Sequence, residues 1–166
     1  MKSLKSLTLL MLVLSVVLSI VFSTKTFAGY CNLLYWGKIN MGFGHVALEV
    51  FEHDNQTTPS YYISYAMGND YQSDLRRINA QPEKIKLPNL DASYFDKFET
   101  WFSSVEYSMT GSPSYGSTYN LTRNNCAHAV RSALVGFGYK VKLPNRWALT
   151  PKGVRKEAYR IKAAGR

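Results

Sequence analysis

A cysteine stands at a predicted loop-to-helix junction, where Cys126 directly follows Asn124 and Asn125. Apolar residues recur after it at helical spacing, and Gly136 and Gly138 end the run, so the pattern predicts a helix. Either asparagine suits the N-cap position, which places Cys126 in the first turn. Free backbone N–H groups and the helix dipole favour an anion there, and therefore favour the thiolate that a nucleophilic cysteine needs.

The matching base candidate is His45, at the start of a predicted strand far upstream. The segment 45–50 is rich in β-branched and apolar residues, as strands commonly are. Alternation predicts that Val46, Leu48 and Val50 share one face, whereas His45 and Glu49 lie on the other. An imidazole beside a thiolate can accept and return a proton, so the pair predicts nucleophilic cysteine chemistry.

A Gly-His-Val-Ala-Leu strand followed much later by an Asn-Cys helix resembles the permuted papain-like hydrolases. These include permuted relatives of the NlpC/P60 peptidases and the lecithin:retinol acyltransferase-like enzymes, in which the histidine strand precedes the cysteine helix. The resemblance extends from His45 to Tyr139. It implies an amidase or peptidase-like hydrolase that forms a thioester at Cys126, with a peptide, peptidoglycan or acyl compound as substrate.

The resemblance also implies a polar third residue on the strand after the histidine strand, where this sequence has Ser64. Serine orients an imidazole less firmly than the acids or histidine common at that place, so a Cys-His dyad remains an alternative to a triad. Asn125 and Tyr119 are candidates for supporting the oxyanion, although a helix cap and a core tyrosine explain them equally well. Glu49 is interpreted as an acid at the surface or rim.

A zinc site is the alternative use of His45, because Glu49 and His53 follow it at intervals of four residues. On a helix the three side chains would share one face and form a plausible ligand set. On the predicted strand they would spread over about 26 Å. We therefore predict no metal site and no cofactor.

The first 28 residues are predicted to be a secretory signal peptide. They combine a basic start, an apolar run from Leu7 to Phe22 and the small residue Ala28 before the cleavage point. Removal would leave one domain, residues 29–166, in a secreted or periplasmic location. A retained N-terminal membrane anchor is the alternative.

The chain carries a formal net charge of +9 at pH 7, and its basic residues are concentrated near the C-terminus. Such a charge suits an anionic envelope surface, although a solvated, basic C-terminal tail explains it equally well. The sequence has neither groove-reading helices nor aromatic nucleic-acid motifs, so no specific nucleic-acid binding is predicted.

The rival to catalysis is a disulfide. Only Cys31 and Cys126 are available, and in an oxidising compartment such a pair commonly forms a bridge. The chain would then be a disulfide-stapled, secreted binding protein without chemistry. A count of free thiols distinguishes the two hypotheses.

The order of the predicted elements favours an α+β fold with a small antiparallel sheet and packed helices. Strands are predicted at 45–50, 61–66 and 83–87, the last at an edge, and residues 29–41 are predicted to be an N-terminal strand or arm. A helix with an aromatic, core-facing stripe follows Asp91, and the Cys126 helix comes after it. Residues 67–80 are predicted to be polar and irregular.

Overall fold

The structure is a computed structural model, which describes residues 27–37, 44–65, 70–106, 125–144 and 149–165. Its strands are β1 (Phe27–Trp36), β2 (His45–Phe51), β3 (Tyr61–Ser64), β4 (Glu83–Lys86) and β5 (Leu90–Asp91). Its helices are α1 (Tyr71–Ile78), α2 (Ala92–Glu106), α3 (Cys126–Gly136) and α4 (Pro151–Ala164).

The strands form one antiparallel sheet in the order β3-β2-β1-β4, and β5 pairs with the start of β1. The predicted α+β class is therefore confirmed, and β4 lies at an edge as expected. Two pairs in the register matter for the site: Trp36 of β1 faces His45, and Ala47 of β2 faces Ser64 of β3. The register therefore places His45 at the end of its strand, near the end of β3.

One face of the sheet bears the main core. Val46, Leu48 and Val50 of β2 belong to this core, as the alternation predicts. Helices α2, α3 and α4 cover it with apolar side chains, and the ring of Phe98 stacks on Phe137 with 3.7 Å between centroids. The aromatic stripe of α2 thus serves the core, because aromatic rings bury large apolar areas.

The opposite face bears a smaller apolar cluster, formed by Leu34, Trp36 and Ala47. Helix α1 covers this cluster, with Leu75 and Ile78 packed against it. Because both faces of the sheet are covered, all seven residues of β2 are buried. The interpretation of Glu49 as a surface acid is therefore wrong.

Glu49 is 4% exposed and is neutralised within the fold. Its Oε2 accepts a hydrogen bond from Asn32 Nδ2 at 3.1 Å and forms an ion pair with Lys84 Nζ at 2.9 Å. A buried carboxylate needs such partners to offset its lost hydration. Glu49 is therefore a structural acid of the sheet.

Helix α1 occupies the segment predicted to be irregular. Asp70 caps it, since its Oδ1 accepts the Ser73 N–H at 2.8 Å, and Asn79 ends it in the left-handed conformation with φ of 53°. Between these caps Leu75 and Ile78 pack on the smaller cluster. The helix is only eight residues long, so tertiary packing rather than intrinsic propensity stabilises it.

The C-terminal residues form helix α4 rather than a solvated tail. Thr150 caps the helix and Pro151 occupies its first turn, an arrangement that suits helix starts. Val154, Ala158 and Ile161 are fully buried in the main core. The basic residues of the segment therefore lie on a helix that is fixed to the sheet.

Strand β1 begins at Phe27, before the predicted cleavage point after Ala28. Phe27 pairs with Asp91 of β5, whereas the pairing with β2 runs from Tyr30 onward. Cleavage there would remove the residue pair Phe27–Asp91. It would leave the pair Gly29–Leu90 and the pairing of β1 with β2 and β4 intact. Among the described residues no helix is long and apolar enough to cross a membrane, and the apolar run 7–22 lies outside them.

Candidate active site

Cys126 is the first residue of α3, and Asn125 is its N-cap, as predicted. The Asn125 Oδ1 accepts the N–H groups of Ala127 at 2.9 Å and His128 at 3.2 Å, and its Nδ2 donates to the Leu149 carbonyl at 3.0 Å. An extended N-cap residue whose side chain bonds these donors fixes the start of a helix. The position of the cysteine is therefore set by a short-range, fully bonded cap.

The same bonds decide what Asn125 does. Its side chain is held by the cap, and its N–H points to His128 Nδ1 at 3.4 Å, which completes a capping box. His128 is thus a capping residue. Among the described residues the N–H of Cys126 is the first-turn donor that has no acceptor. Such a donor beside the nucleophile suits a developing oxyanion better than the Asn125 side chain does.

Tyr119, the other candidate for supporting the oxyanion, lies outside the described residues.

His45 lies at the first position of β2 and is 1% exposed. Gly44 precedes it, and a Cβ there would lie 2.5 Å from the Gly37 carbonyl oxygen and 2.8 Å from that of Trp36. Only glycine permits this close approach to the end of β1. The Trp36 ring lies 5.4 Å from the imidazole, centroid to centroid. The backbone at the end of β1 and the Trp36 indole therefore confine the His45 ring.

Three polar groups meet at the Nε2 side of His45. Nε2 lies 3.0 Å from Ser64 Oγ and 3.2 Å from Asp74 Oδ2. Ser64 Oγ in turn donates to the same Asp74 oxygen at 2.7 Å, and the hydroxyl of Tyr62 donates to it at 2.6 Å. The predicted third residue, Ser64, is therefore beside the imidazole, but it is bonded to a carboxylate that also faces the ring.

Asp74 is the site residue that sequence analysis missed. It lies on α1, in the segment predicted to be irregular, and it is fully buried. Its Oδ2 accepts all three of the hydrogen bonds just described, whereas its Oδ1 is buried without a hydrogen-bond partner among the described residues. A buried carboxylate aimed at an imidazole fixes the ring orientation and stabilises its protonated form.

The imidazole also interacts with the Cys126 side chain. Hydrogen bonding and charge from Cys126 both act on the His45 ring, so the two side chains are close neighbours. Burial lowers the pKa of His45, but hydrogen bonds and charges from Asp74 and Cys126 outweigh it and raise that pKa to about 9. The imidazolium therefore persists at neutral pH beside the sulfur of Cys126.

This raised pKa predicts a pH dependence of stability. The pKa of His45 is higher in the folded chain, about 9, than its ordinary value of 6.5, so protonation stabilises the fold. The stabilisation is fully present below about pH 6.5 and is lost as pH rises through about 9, by roughly 3 kcal/mol. Urea unfolding at intervals from pH 6 to pH 10 measures it. In His45→Gln the same interval should show a much smaller loss, and parallel curves for both proteins would contradict the assignment.

Both cysteines are free thiols in the structure. Cys31 is fully buried in β1 opposite Val50 and is hydrogen-bonded to Tyr139, whereas Cys126 contacts His45. Burial raises the pKa of the Cys31 thiol well above its ordinary range, so this thiol stays protonated and inert. The described residues therefore contain no bridge between Cys31 and Cys126, which the alternative of a disulfide-stapled binding protein requires.

The described residues contain no group of three or more histidine, cysteine or acidic side chains that could hold a metal ion. Glu49, one member of the zinc set considered above, is bonded to Asn32 and Lys84 instead. His53 is exposed in the loop after β2.

No family model matches the chain, and neither a curated protein nor a solved structure is significantly similar to it.

Proposed function

We propose that the protein is a cysteine hydrolase in which Cys126 is the nucleophile, His45 the proton carrier and Asp74 the residue that orients His45. The observation that carries the proposal is the position of His45, whose imidazole interacts with the Cys126 side chain and lies 3.2 Å from the buried carboxylate of Asp74. A nucleophile, a base and a group that orients the base form the arrangement that covalent acyl transfer requires.

The reaction proceeds in two steps with one covalent intermediate. The Cys126 thiolate attacks the carbonyl carbon of an amide or ester, and the N–H of Cys126 stabilises the oxyanion. His45 gives its proton to the departing amine or alcohol, which leaves a thioester. His45 then takes a proton from water, the hydroxide attacks the thioester, and the acid is released with the thiolate restored. Asp74 keeps the imidazolium aligned throughout.

The order of the elements supports a permuted papain-like arrangement, because the His45 strand precedes the Cys126 helix. Under that arrangement the substrate is a peptide, peptidoglycan or an acyl compound. The signal-like N-terminal segment supports a secreted or periplasmic enzyme acting on the cell envelope. Ser64 supports the site by bonding both His45 and Asp74.

Thiol reactivity tests the proposal without knowledge of the substrate. We expect iodoacetamide to modify Cys126 at pH 6, because a cysteine beside a protonated imidazole is an activated nucleophile. Cys31 should remain unmodified in the folded protein, because it is fully buried. Mass spectrometry of tryptic peptides after timed labelling measures both rates.

His45→Ala is the matched variant for this test. It should suppress labelling of Cys126 at pH 6 by about tenfold or more while leaving labelling above pH 9 nearly unchanged. Equal, slow labelling of both cysteines at pH 6 in the parent protein would mean that the thiol is not activated.

A further inference from the structure

The acidic residues are distributed very unevenly along the chain. After Glu106 the sequence contains one acidic residue, Glu157, and eleven of the chain's 20 lysines and arginines. Glu157 is 6% exposed and its carboxylate bonds Arg160 and the Lys142 N–H, so it contributes no free negative charge at the surface. The described parts of this segment, 125–144 and 149–165, therefore carry a large excess of positive charge.

Helix α4 presents this charge along its outer side. We call Lys152, Lys156, Tyr159 and Lys162 the cationic face; at 3.6 residues per turn they lie within about 120° of arc. All three lysines are exposed, and the Tyr159 side chain is 43% exposed. The opposite side, with Val154 and Ile161, is buried in the core. The helix therefore holds its charges in a fixed row.

The arginines of α4 are already engaged. Arg155 bonds Glu83, and Arg160 bonds Glu157 and the Lys140 carbonyl. Among the described residues the three lysines of the cationic face have no acidic partner. The groups left for a partner are thus flexible ammonium charges, whereas the guanidinium groups that suit bidentate recognition are taken.

We propose that the cationic face docks the protein on an anionic lipid bilayer. Lysine ammonium groups attract a diffuse layer of anionic headgroups without a fixed geometry. The half-exposed ring of Tyr159, whose hydroxyl donates to Glu83, adds an apolar surface in the middle of the row that suits the interface between headgroups and acyl chains.

The cationic face begins beside the candidate active site. Pro151, the first residue of α4, lies next to Gly44. A Cβ added at Gly44 would stand 3.4 Å from the Cβ of Pro151. The Leu149 carbonyl, two residues before the helix, accepts the Asn125 side-chain bond. Docking through α4 would therefore hold His45 and Cys126 close to the bilayer surface. The docking itself does not depend on the proposed hydrolysis.

Vesicle binding by the full chain tests the proposal. The probe is a vesicle of equal parts phosphatidylglycerol and phosphatidylcholine, compared with pure phosphatidylcholine, and bound protein is measured by sedimentation at about 0.1 M salt. Binding to the neutral vesicles measures any contribution from the apolar N-terminal segment, residues 7–22. We expect Lys152→Gln/Lys156→Gln/Lys162→Gln to lower the anionic partition coefficient about a hundredfold, because each lysine near such a surface contributes about fivefold.

The matched control removes the same charge elsewhere. Arg76→Gln/Arg77→Gln/Lys97→Gln alters three exposed cations on α1 and α2, and its binding should stay within about threefold of the parent. Equal losses in both variants would overturn the proposal in favour of net charge alone, and unchanged binding in the first variant would overturn it outright. A single-stranded RNA that displaces the parent from the vesicles, and binds less tightly to the first variant, would make nucleic acid the partner instead.

Discussion

Cys126→Ser is expected to lower the hydrolysis of amide and ester substrates by about 10³-fold or more, because a hydroxyl beside the imidazolium is a far weaker nucleophile than a thiolate. Stability should change little. The side chains are similar in size, and the Asn125 cap that starts α3 does not involve the sulfur. The measurements are initial rates on peptide, cell-wall and acyl substrates, together with thermal unfolding of both proteins.

Cys31→Ser is the matched control, since it makes the same atomic change at the other cysteine. Cys31 is fully buried in the main core, so a hydroxyl there should cost about 1–3 kcal/mol of unfolding free energy while activity is retained. Reductant should not alter the melting temperature of the parent. A Cys126→Ser protein that hydrolyses substrate at the parent rate would exclude Cys126 as the nucleophile.

Asp74→Asn is expected to lower kcat by about 10²–10⁴-fold, because the amide can no longer hold and charge-stabilise the imidazolium. The size and position of the side chain are kept, so Tyr62 and Ser64 retain an acceptor. Ser64→Ala should cost about tenfold or less, since Asp74 still faces Nε2 at 3.2 Å. Steady-state kinetics of the two variants therefore identify the group that orients His45.

The pH profile separates this role from a structural one. Loss of the carboxylate removes a partner that raises the pKa of His45, so the alkaline limb of the activity profile, along which His45 loses the proton that it must donate, should move to lower pH in Asp74→Asn. A merely structural residue would lower activity without moving that limb. If Ser64→Ala has the larger effect and Asp74→Asn leaves the limb in place, Ser64 is the orienting residue.

The parts of the site that could be predicted are those with local causes. An asparagine cap followed by apolar residues at helical spacing determines α3 and the position of Cys126. Alternation along 45–50 determines β2 and the face on which His45 lies. The part that His128 takes in the capping box is also local, because its partner Asn125 is three residues away. Each of these features is stabilised within a few residues.

Asp74 could not be predicted in the same way. Its helix is short and polar, and it is stabilised by contact of Leu75 and Ile78 with a sheet face that is formed by strands distant in sequence. The signals were present but weak: Asp70 with Ser73 forms a cap, and Tyr71, Leu75 and Ile78 follow at helical intervals. The burial of Glu49 was also missed, because its partners Asn32 and Lys84 lie on strands β1 and β4, which are distant in sequence.

Cys126 and Asp74, the two side chains that act on His45, belong to different packing units. Cys126 begins a helix that is embedded in the main core, whereas Asp74 is carried by an eight-residue helix that rests on the smaller cluster. Local opening of a short element costs less free energy than global unfolding. Warming would therefore release the orienting acid while the nucleophile stays in place, so catalytic competence would be lost before the fold itself.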